Sequence, residues 1–292
     1  MTTNHVWDAA GVQQAVSQIA SIRPAYADIL GFYGPVFAAQ VNAAVDTCPE
    51  AIRMDDSLLE MKLNEGFSLI DPSAFTVDNP SAGKLLEALC RIAAAAGEKL
   101  AGVGEALNRS IIGGALVDHL FADVLDDKGR IRDFAESTDV APDLLSLLLY
   151  LAVKPSIEAG ARQLATHLSG IQEKRDSCPI CGSAPILGEL DPEGKLWLHC
   201  RLCWHRWLVD RIACPFCKNR DAASLEYFYS DDEPEYRVNL CGKCKRYLKV
   251  VDTRRIDRSF YPPLEQVVSI HLDMMAVEKG YVHAMGPGSP AK

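Results

Sequence analysis

Four Cys-x-x-Cys pairs crowd into residues 178–244: Cys178/Cys181, Cys200/Cys203, Cys214/Cys217 and Cys241/Cys244, eight of the ten cysteines in the chain. At 292 residues the chain can bury a core without cross-links. A secreted disulfide framework would spread its thiols through the fold and not confine them to one stretch. Thiolates are soft ligands, and four at tetrahedral positions suit zinc or iron at about 2.3 Å. A two-residue spacer lets both sulfurs of a pair face one ion, and a small residue after the second cysteine, as in Cys181-Gly182, eases the turn. The gaps between successive pairs are 18, 10 and 23 residues. The first gap matches a zinc ribbon, and the last is a slightly longer version with a longer hairpin.

The simplest assignment is sequential, with Cys178, Cys181, Cys200 and Cys203 holding one ion and Cys214, Cys217, Cys241 and Cys244 a second. An interleaved arrangement would pair the first knuckle with the third. Zinc against iron stays open, because Cys178-Pro-Ile-Cys-Gly182 and Cys214-Pro-Phe-Cys217 both resemble rubredoxin knuckles, which use the same four thiolates. The expectation is two metal ions per chain, iron or zinc. Thioredoxin-like exchange would need a pair opening a helix after a strand, whereas these pairs lie among turn and hairpin signals.

The rest of the chain divides around this stretch. Through about residue 176, apolar residues recur at three- and four-residue spacing in Val12–Ile22, Leu58–Leu63, Leu85–Leu107 and Leu144–Leu168, with breaks expected at Pro24, Pro49, Pro72, Pro80, Pro142 and Pro155. Beyond it, short aromatic or β-branched stretches, Leu196–His199, Trp207–Ile212, Tyr227–Tyr229 and Tyr236–Leu240, alternate with turn residues such as Asp191-Pro-Glu-Gly194 and Asp231-Asp-Glu-Pro234. After Pro262-Pro263 the helical pattern returns with Leu264, Val268, His271 and Met275 on one face. The expected fold is multidomain α+β: an all-α domain over 1–176, two small rubredoxin-like or zinc-ribbon modules over 177–212 and 213–260, a C-terminal helix over 261–285 and a flexible tail over 286–292. The N-terminal residues carry no signal-peptide pattern, and the densest apolar run, Leu144–Val153, is ten residues against the ~20 of a membrane helix. A cytoplasmic chain with no membrane insertion is expected.

Other candidate residues have plainer readings. Cys48 and Cys90, in apolar helical contexts, read as core thiols. His119 and His167 read as core or groove residues, and His199 and His205 as neighbours of the ligands or surface residues. No Ser/His/Asp set with a supporting motif, Gly-rich phosphate loop or His-Glu-x-x-His occurs, so no catalytic or organic-cofactor site is expected and the chain is read as a non-enzyme.

The net charge of −9 divides unevenly. Residues 1–177 carry 14 Lys+Arg against 24 Asp+Glu, whereas 178–258 carry 14 against 12. Two four-thiolate sites around divalent ions would bring the second stretch to about −2. The basic cluster Lys243, Lys245, Arg246, Lys249, Arg254, Arg255 and Arg258 partly neutralises the thiolates and reads as a solvated face, with a partner-binding patch as the alternative.

Ser177-Cys-Pro-Ile-Cys-Gly-Ser-Ala-Pro185, Leu196-Trp-Leu-His-Cys-Arg-Leu-Cys203 with Trp207 and Arg211, Cys214-Pro-Phe-Cys217, and Cys241-Gly-Lys-Cys-Lys-Arg-Tyr-Leu-Lys249 together resemble the FdhE family of formate dehydrogenase accessory proteins. The closing Leu272-Asp-Met-Met-Ala-Val-Glu278-Lys-Gly-Tyr281 looks like the C-terminal helix of that family. The resemblance covers roughly 177–285. Trp204 and Lys218 stand where the family commonly has Gly after a knuckle. The resemblance implies a cytoplasmic maturation factor that contacts the formate dehydrogenase catalytic subunit and turns over no substrate, with the eight cysteines as iron or zinc ligands and a homodimer allowed. It further implies a client-binding or redox-sensing surface, to which the exposed parts of Trp197, Trp204 and Trp207 would contribute. The rivals are a nucleic-acid-binding zinc ribbon, which the acidic charge disfavours, and a Cys-x-x-Cys thiol oxidoreductase.

Overall fold

The apolar spacing of the first half closes into helices α1 (Ala9–Ile22), α2 (Ala27–Asp46), α3 (Asp56–Glu65), α4 (Asn79–Ala94), α5 (Glu98–Ile111), α6 (Ala115–Asp126), α7 (Arg130–Thr138) and α8 (Pro142–Ala165). The computed structural model describes residues 8–111, 115–168 and 175–283; the expected tail over 286–292 lies outside them. Chain contacts separate two units, Met1–Arg53 with Asp71–Leu164, and Met54–Ile70 with Ala165–Lys292.

In the first unit aspartates cap α1 and α4. Asp8 accepts from the Gly11 N–H at 2.6 Å and Asp78 from that of Ser81 at 3.1 Å. Buried Asp123 accepts from the N–H groups of Lys128 and Ile131, at 2.8 and 3.0 Å, and so ties the start of α7 to α6. Helix α4 packs against α2, α5 and α6, and α1 against α2. Ile19, Leu86, Leu89, Leu107, Leu120, Phe121, Leu145, Leu148 and Leu149 are buried in this unit. Pro24, Pro49, Pro72, Pro80 and Pro142 fall between helices or at their starts. Pro155 instead lies inside α8, as Pro35 does inside α2. A proline there removes the bond to the carbonyl four residues back. For Pro155 that is the carbonyl of Leu151, and buried Gln40 of α2 supplies the missing donor, its Nε2 reaching that oxygen at 2.8 Å. The helix therefore runs on where the sequence suggested a break. Its continuation through Leu168 is long and apolar enough to cross a membrane by length and composition, but 72% of that window is buried, as in a core helix.

The second unit is built on one six-stranded sheet. Its strands are β1 (Pro185–Leu190), β2 (Leu196–Cys200), β3 (Arg206–Val209), β4 (Leu225–Phe228), β5 (Tyr236–Cys241) and β6 (Tyr247–Asp252), in the order β3-β2-β1-β6-β5-β4. Each expected ribbon contributes an antiparallel half, β3-β2-β1 and β6-β5-β4, and a parallel pairing of β1 with β6 joins them (Gly188↔Val250, Glu189↔Val251, Leu190↔Asp252). Gly188 makes that seam close: a Cβ there would meet Val250 at 3.0 Å and Leu196 and Leu248 at 3.2 Å. The helical C-terminal run forms two helices, α9 (Pro262–Val268) and α10 (Ile270–Glu278), with contacts of α9 to β1 and of α10 to β6.

The basic cluster of the sequence is not one solvated face. Lys249 on β6 is buried, and its Nζ reaches Asp273 of α10 at 2.7 Å and the carbonyls of Gln266 and Ser269 at 3.2 and 3.3 Å. Arg258 pairs with fully buried Glu265, which also accepts from the Tyr236 hydroxyl at 2.5 Å. Arg254 pairs with Asp252 at 2.6 Å. These cations serve to pin helices and a turn to the sheet.

Candidate metal centres

The second and fourth cysteine pairs sit in tight turns that join β2 to β3 and β5 to β6, and the first and third in tight turns that precede β1 and β4. In the first, Cys178 donates its N–H to the Ser183 carbonyl and Gly182 to the Cys178 carbonyl, both at 2.9 Å. The third and fourth repeat this: Cys214 to Asn219 at 2.8 Å and Lys218 to Cys214 at 2.9 Å, then Cys241 to Arg246 at 3.0 Å and Lys245 to Cys241 at 2.8 Å. In the second, Cys200 donates to His205 at 3.0 Å. The residue after each pair is left-handed: Gly182 at φ 72°, Trp204 at 56°, Lys218 at 58° and Lys245 at 56°. Glycine takes that conformation freely and a side chain at a cost. Trp204 and Lys218 thus keep the turn, as does Lys245, which the sequence reading did not single out.

The turns bring the eight cysteines together in the sequential order. Cys178, Cys181, Cys200 and Cys203 form one group and Cys214, Cys217, Cys241 and Cys244 another, with the sulfurs of each within 4.8 Å of one another. Sulfur separations are 3.5 and 3.7 Å from Cys181 to Cys200 and Cys203, and 3.7 Å for Cys178–Cys203, Cys214–Cys244 and Cys217–Cys241. Four sulfurs bound tetrahedrally at about 2.3 Å would stand about 3.8 Å apart. The donors therefore fit one ion per group, and by their chemistry zinc and iron alike.

The electrostatics point the same way. Burial, then hydrogen bonds with Cys181 and Cys200, push the Cys178 thiol far up, and hydrogen bonds within the group raise Cys203. Bonds from Cys178, Cys200 and Cys203 pull Cys181 down. In the second group burial raises Cys214, and raises Cys244 to about 11. At Cys241 burial is outweighed by the N–H groups of Cys244 and Lys243, and the thiol falls to about 7. Crowded thiols thus share negative charge unequally, with protons held where a dication could replace them. Amide support reaches the sulfurs as well: Leu202 and Cys203 direct N–H groups at the Cys200 sulfur at 3.4 and 3.5 Å, and Asn219 its Nδ2 at that of Cys241 at 3.8 Å.

Several neighbouring residues were read differently from sequence. His199 is buried, with its Nε2 at 2.8 Å from Glu189, whose carboxylate also takes Arg206 at 3.2 Å. His205 is half-buried, and burial lowers its imidazole to about 4. Cys90 is a core thiol as expected, but Cys48 is exposed, because the chain leaves α2 at Thr47 and runs to Pro49 outside the helix. His119 and His167 are exposed as well. Trp207 is buried with its indole N–H on the Arg175 carbonyl at 3.0 Å, and Trp197 donates to Asp191 at 2.8 Å under the Arg206 guanidinium. The larger exposed apolar side chains of this unit include Ile270, Met274 and Val277 on α10, and Met275, expected on one face with Leu264, Val268 and His271, is exposed as well.

A helical unit followed by a sheet with two four-thiol groups defines a double-ribbon protein in which each group could hold a metal ion. No family model matches the chain. It is 37% identical over 112 residues to a protein FdhE homolog of Aquifex aeolicus, covering 37% of this chain and 39% of that protein. It is 34% identical over 149 residues to one from Haemophilus ducreyi, covering 50% and 48%. The aligned stretches span less than half of these relatives' lengths. The crystal structure of the FdhE protein from Pseudomonas aeruginosa matches over 98% of this chain and 96% of that one with a TM-score of 0.68, at 20% identity, a likeness of fold. The chain is thus similar in sequence to FdhE homologues over the aligned stretches, and in fold to an FdhE protein over nearly its whole length.

Proposed function

We propose that this chain is a non-catalytic accessory protein for formate dehydrogenase, which binds the catalytic subunit and is needed for its assembly into active enzyme in the cytoplasm. The carrying observation is the pair of four-thiol centres in an FdhE-like fold and sequence. On this reading Cys178, Cys181, Cys200 and Cys203 ligate one iron or zinc ion, and Cys214, Cys217, Cys241 and Cys244 a second. Bound metal supplies the cross-link that each short hairpin lacks. The modules 177–212 and 213–260 then present a shaped surface to the client. Against the rival nucleic-acid reading, Lys249 and Arg258 of the basic cluster are committed to Asp273 and Glu265.

The test is anaerobic purification of the tagged chain with metal analysis, alongside co-purification of a formate dehydrogenase catalytic subunit. About two metals per chain and a retained client are expected. Absence of metal would remove the ligand assignment, and tight binding to mixed DNA and RNA near physiological salt without client capture would replace the accessory reading.

A further inference from the structure

The two centres share a ligand set but not an environment. All four cysteines of the first are buried, whereas Cys217 and Cys244 of the second are partly open to solvent. The first is also held from outside. Leu69 and Ile70, themselves buried, donate their N–H groups to the carbonyls of Pro179 and Ile180 at 3.0 and 2.9 Å, between the two cysteines of the first knuckle. The fourth knuckle is bonded instead to the segment after α10. Val282 donates to the Lys245 carbonyl at 2.8 Å, Tyr247 donates to the Val282 carbonyl at 3.2 Å, and the Lys245 ammonium lies 5.3 Å from the centre of the Tyr281 ring. Lys245 is the left-handed residue that closes this turn.

We propose that the second centre is the releasable one and that its ion holds the Tyr281–Val282 strap against the sheet. The proposal rests on the reading of the eight cysteines as ligands. Metal leaves a four-thiolate site by stepwise exchange, in which a donor from solution replaces one sulfur at a time. Cys217 and Cys244 can be displaced where they stand. A ligand of the first centre becomes reachable only when the cover of Leu69 and Ile70 opens, a local unfolding step. As the ion passes to the competing ligand, each metal–sulfur bond is exchanged for a bond to that ligand, with no change of oxidation state. Once Cys244 is free, the turn through Lys245 loses the constraint that keeps it left-handed, and the carbonyl that holds Val282 moves with it.

The test uses the full chain loaded with zinc alone and challenged with a chromogenic zinc chelator, with amide exchange followed by mass spectrometry. Two phases of one ion each are expected, the first at least about tenfold faster than the second. Exchange in peptides containing Tyr247 and Val282 rises with the first phase, while Leu69 and Ile70 stay protected until the second. Cys244→Ser removes the fast phase and leaves the slow one. Release of both ions in one phase, or a fast phase during which the strap stays protected, overturns the proposal on the wild-type protein alone. A loaded chain that holds no zinc defeats the ligand reading itself, a distinguishable failure.

Discussion

At the scale of single residues, two buried groups carry consequences that their identities do not advertise. Gln40 is polar in a helix of apolar neighbours, yet its amide satisfies the carbonyl that Pro155 strips of a partner. Gln40→Leu is expected to destabilise the first unit by about 1–3 kcal/mol, the cost of an orphaned buried acceptor, read as an earlier helical transition in a urea melt. Burial, with help from Glu87, raises the Cys90 thiol from 9.0 to about 11. A folded value above the unfolded one gives stability that is complete below the unfolded value and lost as pH climbs through the folded one. The urea midpoint should therefore fall between pH 9 and about 11, and Cys90→Val should flatten part of that slope. An identical slope in the variant would refute the assignment. The apolar helical context in the sequence pointed to Cys90 correctly and misplaced Cys48, because such a context does not tell where a helix ends.

At the scale of elements, the sheet seam and the helix pins are the sensitive places. Gly188→Ala would press a methyl against Leu196 of β2 and against Val250 and Leu248 of β6, the strands on either side of β1. A loss of about 1–3 kcal/mol is expected, and an unchanged melting temperature of the second unit would show that the seam can relax. Asp273→Ala leaves the Lys249 ammonium buried without its carboxylate, at a cost of about 3–5 kcal/mol, whereas Lys249→Met, which removes the charge and keeps the stem volume, should cost clearly less. Both are measurable by chemical denaturation. The strands β2 to β5 were legible from aromatic and β-branched stretches between turn residues. β1 and β6 were not, although they are the central pair. β1 carries a proline, a glycine and a glutamate, and β6 lies within the apparent basic cluster. Burial of Lys249 depends on Asp273, 24 residues on, and no local pattern shows such a partner.

At the scale of the whole molecule, the two units should respond differently to metal removal. Metal ligation contributes folding free energy directly to small ribbons, while the helical unit has its own apolar core. Chelation of the metal-loaded chain is therefore expected to abolish the near-ultraviolet signal of Trp197, Trp204 and Trp207, all in the second unit, and to leave most of the helical circular dichroism. Simultaneous loss of both signals would mean that the helical unit depends on the metal as well.

The sequence by itself determined the number and spacing of the thiol pairs, the sequential grouping as the simplest assignment, the helical character of the first half and the likeness to FdhE. These are local properties: a Cys-x-x-Cys turn places its own two sulfurs, and an apolar period identifies its own helix. Only the tertiary structure decided that β1 and β6 join two ribbons in one sheet, that Met54–Ile70 belongs with the second unit, and that one centre is enclosed while the other is partly open. These depend on pairings between residues far apart in the chain, such as Leu69 with Pro179 and Lys245 with Val282. Backbone hydrogen bonds carry no side-chain signature, so their partners appear only once the chain has folded.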